Sequence, residues 1–416
     1  AILAQSLGSK VQLSRFWRRW LLAIVISRQM ALLLPLVILA SVWCGSSHGP
    51  VQLVPEFDIH LDARPEDRFD EVIQHFNSSI QEFYHHYLSS DIVKAGLQRL
   101  SARRGPEVVE LQGEISAFSK LTGLPRYGFH SMQMLYELNT LMVPIENFTW
   151  PWKGLACTGI LAINKQNGMV YHARNLDFSP AEYMQRLVYT GIFKKSGKEL
   201  FRAQMLAGYS LPATGMKMGS NGFSLELNTR FPDHKHGDEE LLKNLFTEKR
   251  PLNGWVVRKV LETAADYEAA VEALSTTPYC TTEYHIIGGV RKGTILARNP
   301  DGLAYQMTLG KANYQCPEDY IIITNFDYFF HDDREWFDPT GGKGAGHPRR
   351  IAAQKILNST KTLTPEALYA TISDFEVQAK DTIFQAIMNV EIGLWNTSLP
   401  ACTKCGDSKL SQTMFV

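Results

Sequence analysis

Apolar residues recur at three-to-four spacing over Arg68–Leu88 and again over Val108–Leu121, and a third such stretch covers His130–Met142. That period lines one face of a helix, so the spacing predicts three amphipathic helices. A polar loop with Gly and Pro at Arg103–Pro106 punctuates them. From Cys157 onward the texture changes to short β-rich runs. They cover Thr158–Ile163, Met169–Ala173, Phe223–Leu227, His285–Gly289, Thr294–Arg298 and Tyr320–Thr324. A helical block at Leu252–Leu274 separates them. Thr364-Pro365-Glu366 then opens another helix, with Thr as N-cap and Pro at the first helical position. Helices, sheet, helices, sheet and helices in that order predict a layered α+β sandwich.

The first two runs are joined through Asn167-Gly168, a hairpin signal between apolar, β-branched segments. Cys157 therefore heads one strand, and Arg174 and Asp177 lie near the end of its partner. A hairpin brings its two ends together. A thiol, a guanidinium and a carboxylate are expected to meet at one end of a sheet.

Composition narrows the class. The chain has 416 residues, 45% hydrophobic and 20% charged, enough to bury a large core. Lys+Arg and Asp+Glu are both 42, so no charge bias points to nucleic acid or an anionic surface. Near the start, Lys10, Arg15, Arg18 and Arg19 precede an apolar run from Trp20 to Ile26. Arg28 interrupts, and Met30–Trp43 is again mostly apolar, contains Pro35 and ends in small residues. Met30 to about Ser47 reads as a signal peptide, with residues 1–29 as an upstream extension. A single signal anchor over 20–43 is the competing reading. Four N-x-S/T sequons, at Asn77, Asn147, Asn358 and Asn396, agree with glycosylation in the secretory path.

Other patterns carry less. Cys402 and Cys405 form a C-x-x-C, read as a local disulfide ahead of a redox or zinc pair, and Cys280 and Cys316 are isolated. Gly341–Gly346 with Lys343 imitates a phosphate loop, but Lys343 is followed by Gly344 rather than Ser or Thr. His234 and His236 read as a solvated loop, and His85-His86 as helix positions. No cofactor or metal is called for.

The stretch Cys157-Thr-Gly-Ile-Leu-Ala…His172-Ala-Arg174-Asn175-Leu-Asp177-Phe178 resembles the active-site hairpin of the cysteine N-terminal-nucleophile hydrolases. Within them it is most similar to the N-acylethanolamine-hydrolysing acid amidase and acid ceramidase family. Gly159 stands where that family has serine, and Ala173 where it has glycine. The resemblance runs from about Phe57 to about Asn396. It is specific again at Tyr284-His-Ile-Ile-Gly-Gly289 and at Thr324-Asn325-Phe-Asp327 followed by Asp332-Asp333-Arg334.

The resemblance implies an αββα fold and a chain that cuts itself between Ala156 and Cys157. The segments would then be a signal region over 1–47, a mostly helical α subunit over 48–156 and a catalytic β subunit over 157–416, held as a heterodimer. Cys157 would be the nucleophile and its freed α-amine the base. Asp177 would orient that amine, Arg174 would stand beside the thiol and lower its pKa, Asn325 would donate to the oxyanion, and Arg334 would be a second site arginine. Where the family has a glutamate that contributes to pH-dependent maturation, this chain has Thr229. Either another acid serves, or processing depends less on pH. Glu226 is near, but on a strand its side chain faces away from Thr229. The implied activity is fatty-acid amide hydrolysis in a lysosome or outside the cell, with an N-acylethanolamine or a ceramide as substrate and a lipid activator or membrane surface as a further partner. Residues 46–156 lack the cysteine that ties the two ceramidase subunits, which favours the ethanolamide type. Trp150 and Trp152 would suit lipid contact, core packing or a maturation linker. Two other classes stay open: a conventional thiol enzyme with a histidine base and no cut, and a non-catalytic secreted glycoprotein.

Overall fold

The computed structural model describes residues 54–140, 155–231, 237–313, 315–329 and 346–400. The helical region opens with a strand, β1 (Glu56–His60), followed by α1 (Asp70–Phe83), α2 (Asp91–Arg104), α3 (Val109–Thr122), α4 (Arg126–Gln133) and α5 (Leu135–Thr140). α1 buries Val72, Ile73, Phe76, Ile80 and Phe83, the stripe its spacing predicts, and Asp70 and Glu71 sit at its positive end. α3 stops where Gly123 takes φ 72, a left-handed cap that a side chain would strain. The third predicted helix starts earlier than His130 and breaks at Met134 into α4 and α5. α2 was not legible, because few of its residues are buried and its start rests on Ser90, whose hydroxyl accepts from Val93 N–H.

Two sheets carry the rest. β2 (Leu155–Ile163) and β3 (Val170–Phe178) form the expected hairpin. Its loop spans 164–169 rather than a tight two-residue turn, and within it Gly168 takes φ 72 while Asn164 and Asn167 side chains hold the amides of Gln166 and Met169. β4 (Val188–Lys195), β5 (Lys198–Leu206), β6 (Tyr209–Lys217), β7 (Phe223–Thr229), β8 (Glu283–Gly289), β9 (Lys292–Asn299) and β10 (Gly302–Thr308) follow, then β11 (Tyr320–Ile323), β12 (Thr382–Asn389) and β13 (Leu394–Ser398). One sheet has eight strands in the order β1-β4-β5-β6-β7-β8-β9-β10, and the other has five in the order β11-β2-β3-β12-β13. β1 joins β4 in parallel at the edge of the larger sheet, so the mostly helical segment also supplies a strand.

Four layers result. β2 and β3 pack against β7 and β8, bringing the sheets face to face. The helical region, with α6 (Asn253–Thr263) and α7 (Tyr267–Thr276), covers the outer face of the larger sheet, and α8 (Gly346–Ser359) and α9 (Pro365–Ile372) cover the smaller one. Strands β3, β7, β8 and β12 are buried at every position, as strands covered on both faces must be. That is why their polar residues stand out. The predicted cap of α9 is present, with Thr364 Oγ1 accepting from Ala367 N–H at 3.2 Å. Among the described residues, no helix is long and apolar enough to cross a membrane.

Candidate active site

Register decides which groups share a face. Cys157 opposes Leu176, Gly159 opposes Arg174 and Leu161 opposes His172, and these pairs point toward the larger sheet. Ala156 opposes Asp177 and Thr158 opposes Asn175 on the other face, where the Asn175 amide donates to the Ile372 carbonyl of α9 at 2.8 Å. The three predicted groups do gather at one end of the hairpin, but alternation puts the thiol and Arg174 on the inner face and Asp177 on the outer one.

On the inner face Arg174 is fully buried and plugs the point where β6 and β7 part. Its guanidinium donates to the Ala213 carbonyl, to Thr214 Oγ1 at 2.6 Å, to the Leu227 carbonyl at 3.1 Å and to Tyr136 Oη at 3.3 Å. Nη2 lies 3.9 Å from the Cys157 sulfur. Arg174 does act to lower the thiol pKa, as expected, but burial outweighs it. Burial, the largest effect, pushes the Cys157 thiol up to about 12; Arg174 pulls it down by less, and the nearby negative charges of Asp177 and Glu226 add to the rise. In the uncut chain burial favours the neutral thiol over the thiolate.

Glu226 completes this face. Its Oε2 lies 2.7 Å from His172 Nε2, and Ser224 Oγ lies 2.9 Å from His172 Nδ1. Oε1 is 3.9 Å from Arg174 Nε, and neither atom has a hydrogen bond. Glu226 does face away from Thr229, as alternation requires. Thr229 points to the helix side, directly across from Glu283 on β8. Burial, with Glu137 adding repulsion, pushes the Glu283 carboxyl well above the ordinary range, and burial raises Glu137 to about 7. Two buried acids thus stand behind the threonine.

The outer face holds the main chain of Cys157. Asn325 lies just past β11, where Ile323 opposite Gly159 brings it level with Cys157. Its Oδ1 accepts from Cys157 N–H at 2.8 Å and from Arg349 Nη2 at 3.0 Å, which fixes its amide orientation because both partners are donors. Its NH2 group donates to the Thr229 carbonyl at 2.9 Å. Arg349, from the first turn of α8, also donates through Nη1 to the Cys157 carbonyl at 3.0 Å, Thr158 Oγ1 at 2.8 Å and Asp177 Oδ2 at 3.2 Å. Asp177 Oδ1 accepts from Thr382 Oγ1 at 2.6 Å. Burial pushes Asp177 up to about 6 against the pull of Arg349. Nearby, Asp327 takes a bidentate ion pair from Arg230 at 2.8 and 2.6 Å and a bond from Tyr284, which anchors the loop carrying Asn325.

Arg349 was missed from sequence. It lies 192 residues from Cys157, and the triplet ending in Arg334 drew the assignment instead. A cation in the first turn of a helix opposes the helix dipole, and that was the available signal. Arg334 lies outside the described residues, as do Asn147, Trp150, Trp152, His234, His236, Lys343, Cys44, Cys402 and Cys405. Asn358 and Asn396 are exposed, Asn77 is half-buried, and Cys280 and Cys316 are free, buried thiols. Among the described residues, no imidazole bonds the Cys157 thiol and no group of His, Cys, Asp or Glu is arranged to hold a metal.

The layers make an αββα sandwich, with the cysteine on a strand inside the smaller sheet. Comparison with known proteins narrows this. The chain is 27% identical over 344 residues to the N-acylethanolamine-hydrolyzing acid amidase of Rattus norvegicus, covering 80% of this chain and 85% of that one. It is 26% identical over 381 residues to the acid ceramidase of Homo sapiens, covering 84% and 87%. A solved Caenorhabditis elegans N-acylethanolamine-hydrolyzing acid amidase ortholog is 27% identical, covering 56% of this chain and 92% of that chain at a TM-score of 0.46. No protein-family profile matches the chain. The chain is homologous to the N-acylethanolamine-hydrolysing acid amidases and acid ceramidases.

Proposed function

We propose that the chain is an amidohydrolase acting on linear amides, which cuts itself before Cys157 and then hydrolyses lipid amides through a cysteine acyl-enzyme. The observation that carries this is the grip on one residue's main chain. Asn325 takes the N–H of Cys157, and Arg349 takes its carbonyl while bridging to Asp177. A cysteine that served only through its side chain would not need its backbone nitrogen held by a side chain in place of a strand partner.

In the precursor the thiol attacks the Ala156 carbonyl. The C–N bond breaks, the nitrogen takes the thiol proton, and a thioester forms. Water hydrolyses it, leaving Ala156 as a carboxylate and Cys157 with a free amine. That amine, with a reference pKa of roughly 7.7–8.0, then accepts the thiol proton during attack on a substrate amide. The same proton goes to the leaving amine, and water releases the fatty acid. Asp177 and Asn325 hold the amine, and the second hydrogen of the Asn325 NH2 group is the candidate oxyanion donor. Arg349 takes the part expected of a second site arginine. The α subunit spans 48–156 and the β subunit 157–416, paired as a heterodimer in the lysosome or outside the cell.

An N-acylethanolamine is the favoured substrate, because residues 46–156 contain no cysteine for a bond between subunits. A ceramide is the second reading, supported by similarity to acid ceramidases at nearly equal identity. The test is N-terminal sequencing and intact mass after incubation at about pH 4.5 and about pH 7, beside Cys157→Ala. A new chain beginning at Cys157 in wild type alone is expected, followed by turnover of one of the two lipid amides. An intact wild-type chain at both pH values would sink the mechanism.

A further inference from the structure

The inner face holds an arrangement that the mechanism above does not use. Glu226 is fully buried, on β7, and its carboxylate occupies the space beside Gly159. A Cβ built on Gly159 would lie 2.8 Å and 2.9 Å from the two Glu226 oxygens and 3.0 Å from their carbon. Real Cβ contacts do not come that close, so any side chain at 159 displaces this carboxylate. Gly159 in turn faces Arg174 across the hairpin. The carboxylate is held from the far side by His172, which Ser224 holds in its turn, while Ser224 also reaches the Gly288 carbonyl at 3.3 Å. It presents its free oxygen to the Nε side of Arg174, the edge of the guanidinium with no hydrogen bond.

We propose that Glu226 is a positioning residue for the reaction, steadying Arg174 against the Cys157 sulfur, and that the bare Cα of Gly159 exists to admit its carboxylate. This rests on the function proposed above. The need is physical. The opposite edge of Arg174 is fixed by carbonyls and hydroxyls, but a buried guanidinium without a counter-charge is costly. Glu226 is the nearest carboxylate on the inner face, and its negative charge also opposes thiolate formation at Cys157. The other charged groups acting on that sulfur are Arg174 and, from the outer face, Asp177. Glu226 thus trades a harder ionisation for a fixed arginine, which suits a nucleophile whose proton is removed by an adjacent amine during attack.

The experiment compares matured wild type with Glu226→Gln, Glu226→Ala, Gly159→Ala and the Gly159→Ala/Glu226→Ala pair. Its readouts are kcat and KM on whichever lipid amide wild type hydrolyses, the pH profile of iodoacetamide alkylation at Cys157, and melting temperature. Glu226→Gln keeps the shape and an oxygen for His172. It is expected to lower kcat about 10-fold with KM little changed, and to move alkylation to lower pH. Gly159→Ala is expected to lower kcat and melting temperature in the wild-type background and to cost nothing further once Glu226 is Ala. Equal losses from Gly159→Ala in both backgrounds, or a Glu226→Gln enzyme with wild-type kcat and alkylation profile, would overturn this inference alone. A wild-type chain that neither matures nor hydrolyses a lipid amide would overturn the proposed function and this inference with it.

Discussion

The two faces of the Cys157 hairpin hold the same residue by different means. The inner face touches its side chain: Arg174, backed by Glu226 and His172, stands beside a sulfur whose protonated form burial favours. The outer face touches its main chain: Asn325 and Arg349 hold the N–H and carbonyl, with Asp177 behind. The inner face therefore sets where the sulfur is, and the outer face sets where the peptide nitrogen is. An N-terminal nucleophile needs both, since its attacking atom and its base belong to one residue.

The sharpest way to break this comparison is to remove Arg349. Arg349→Ala would leave the buried Asp177 without its cation and the Cys157 carbonyl without a donor. Losing one member of a buried pair costs about 3–5 kcal/mol, so a large fall in melting temperature and loss of chain cleavage are expected. Arg349→Lys, which keeps the charge but not the fork, should recover stability better than cleavage. Arg334→Ala, measured beside them by the same cleavage assay, decides which arginine serves. Full cleavage in Arg349→Ala and none in Arg334→Ala would reverse the assignment to the outer face.

A smaller effect separates the buried acids behind Thr229 from the site itself. Glu137 rises to about 7 in the folded chain, from an ordinary value near 4.3. Its folded state holds a proton that the unfolded state releases between those values, so stability falls as pH rises through that window and is fully present below it. Glu137→Gln in the uncut Cys157→Ala chain removes that loss. It should stabilise by on the order of 3 kcal/mol near pH 7, and the gap in melting temperature should close toward about pH 4.5. A gap that is constant with pH would count against a titrating acid at this position. If wild-type cleavage is also faster in acid and Glu137→Gln flattens that dependence, these carboxyls replace the acid missing at Thr229.

The smallest effect is a control at the start of α9, at a residue that bonds none of the site groups. Thr364→Ala removes the hydroxyl that caps α9 and should cost about 1 kcal/mol in stability without altering cleavage. A larger effect on cleavage than on melting would mean that α9, whose Ile372 carbonyl holds Asn175, sets the hairpin more tightly than its cap suggests.

Local chemistry was legible in the chain. The helix over Val109–Thr122, the hairpin at Cys157, and the Thr364-Pro365 start are each written in a few adjacent residues, because periodicity, turn preference and capping act over short range. Alternation alone also put Glu226 and Thr229 on opposite faces. Only the tertiary structure decided what fills those faces. Arg349 reaches Cys157 from 192 residues away, Glu283 faces Thr229 from a neighbouring strand, and the Glu226 carboxylate settles in the space that Gly159 leaves empty. The physical reason is that a buried charge is placed by the partners that surround it, and here those partners come from different strands, sheets and helices.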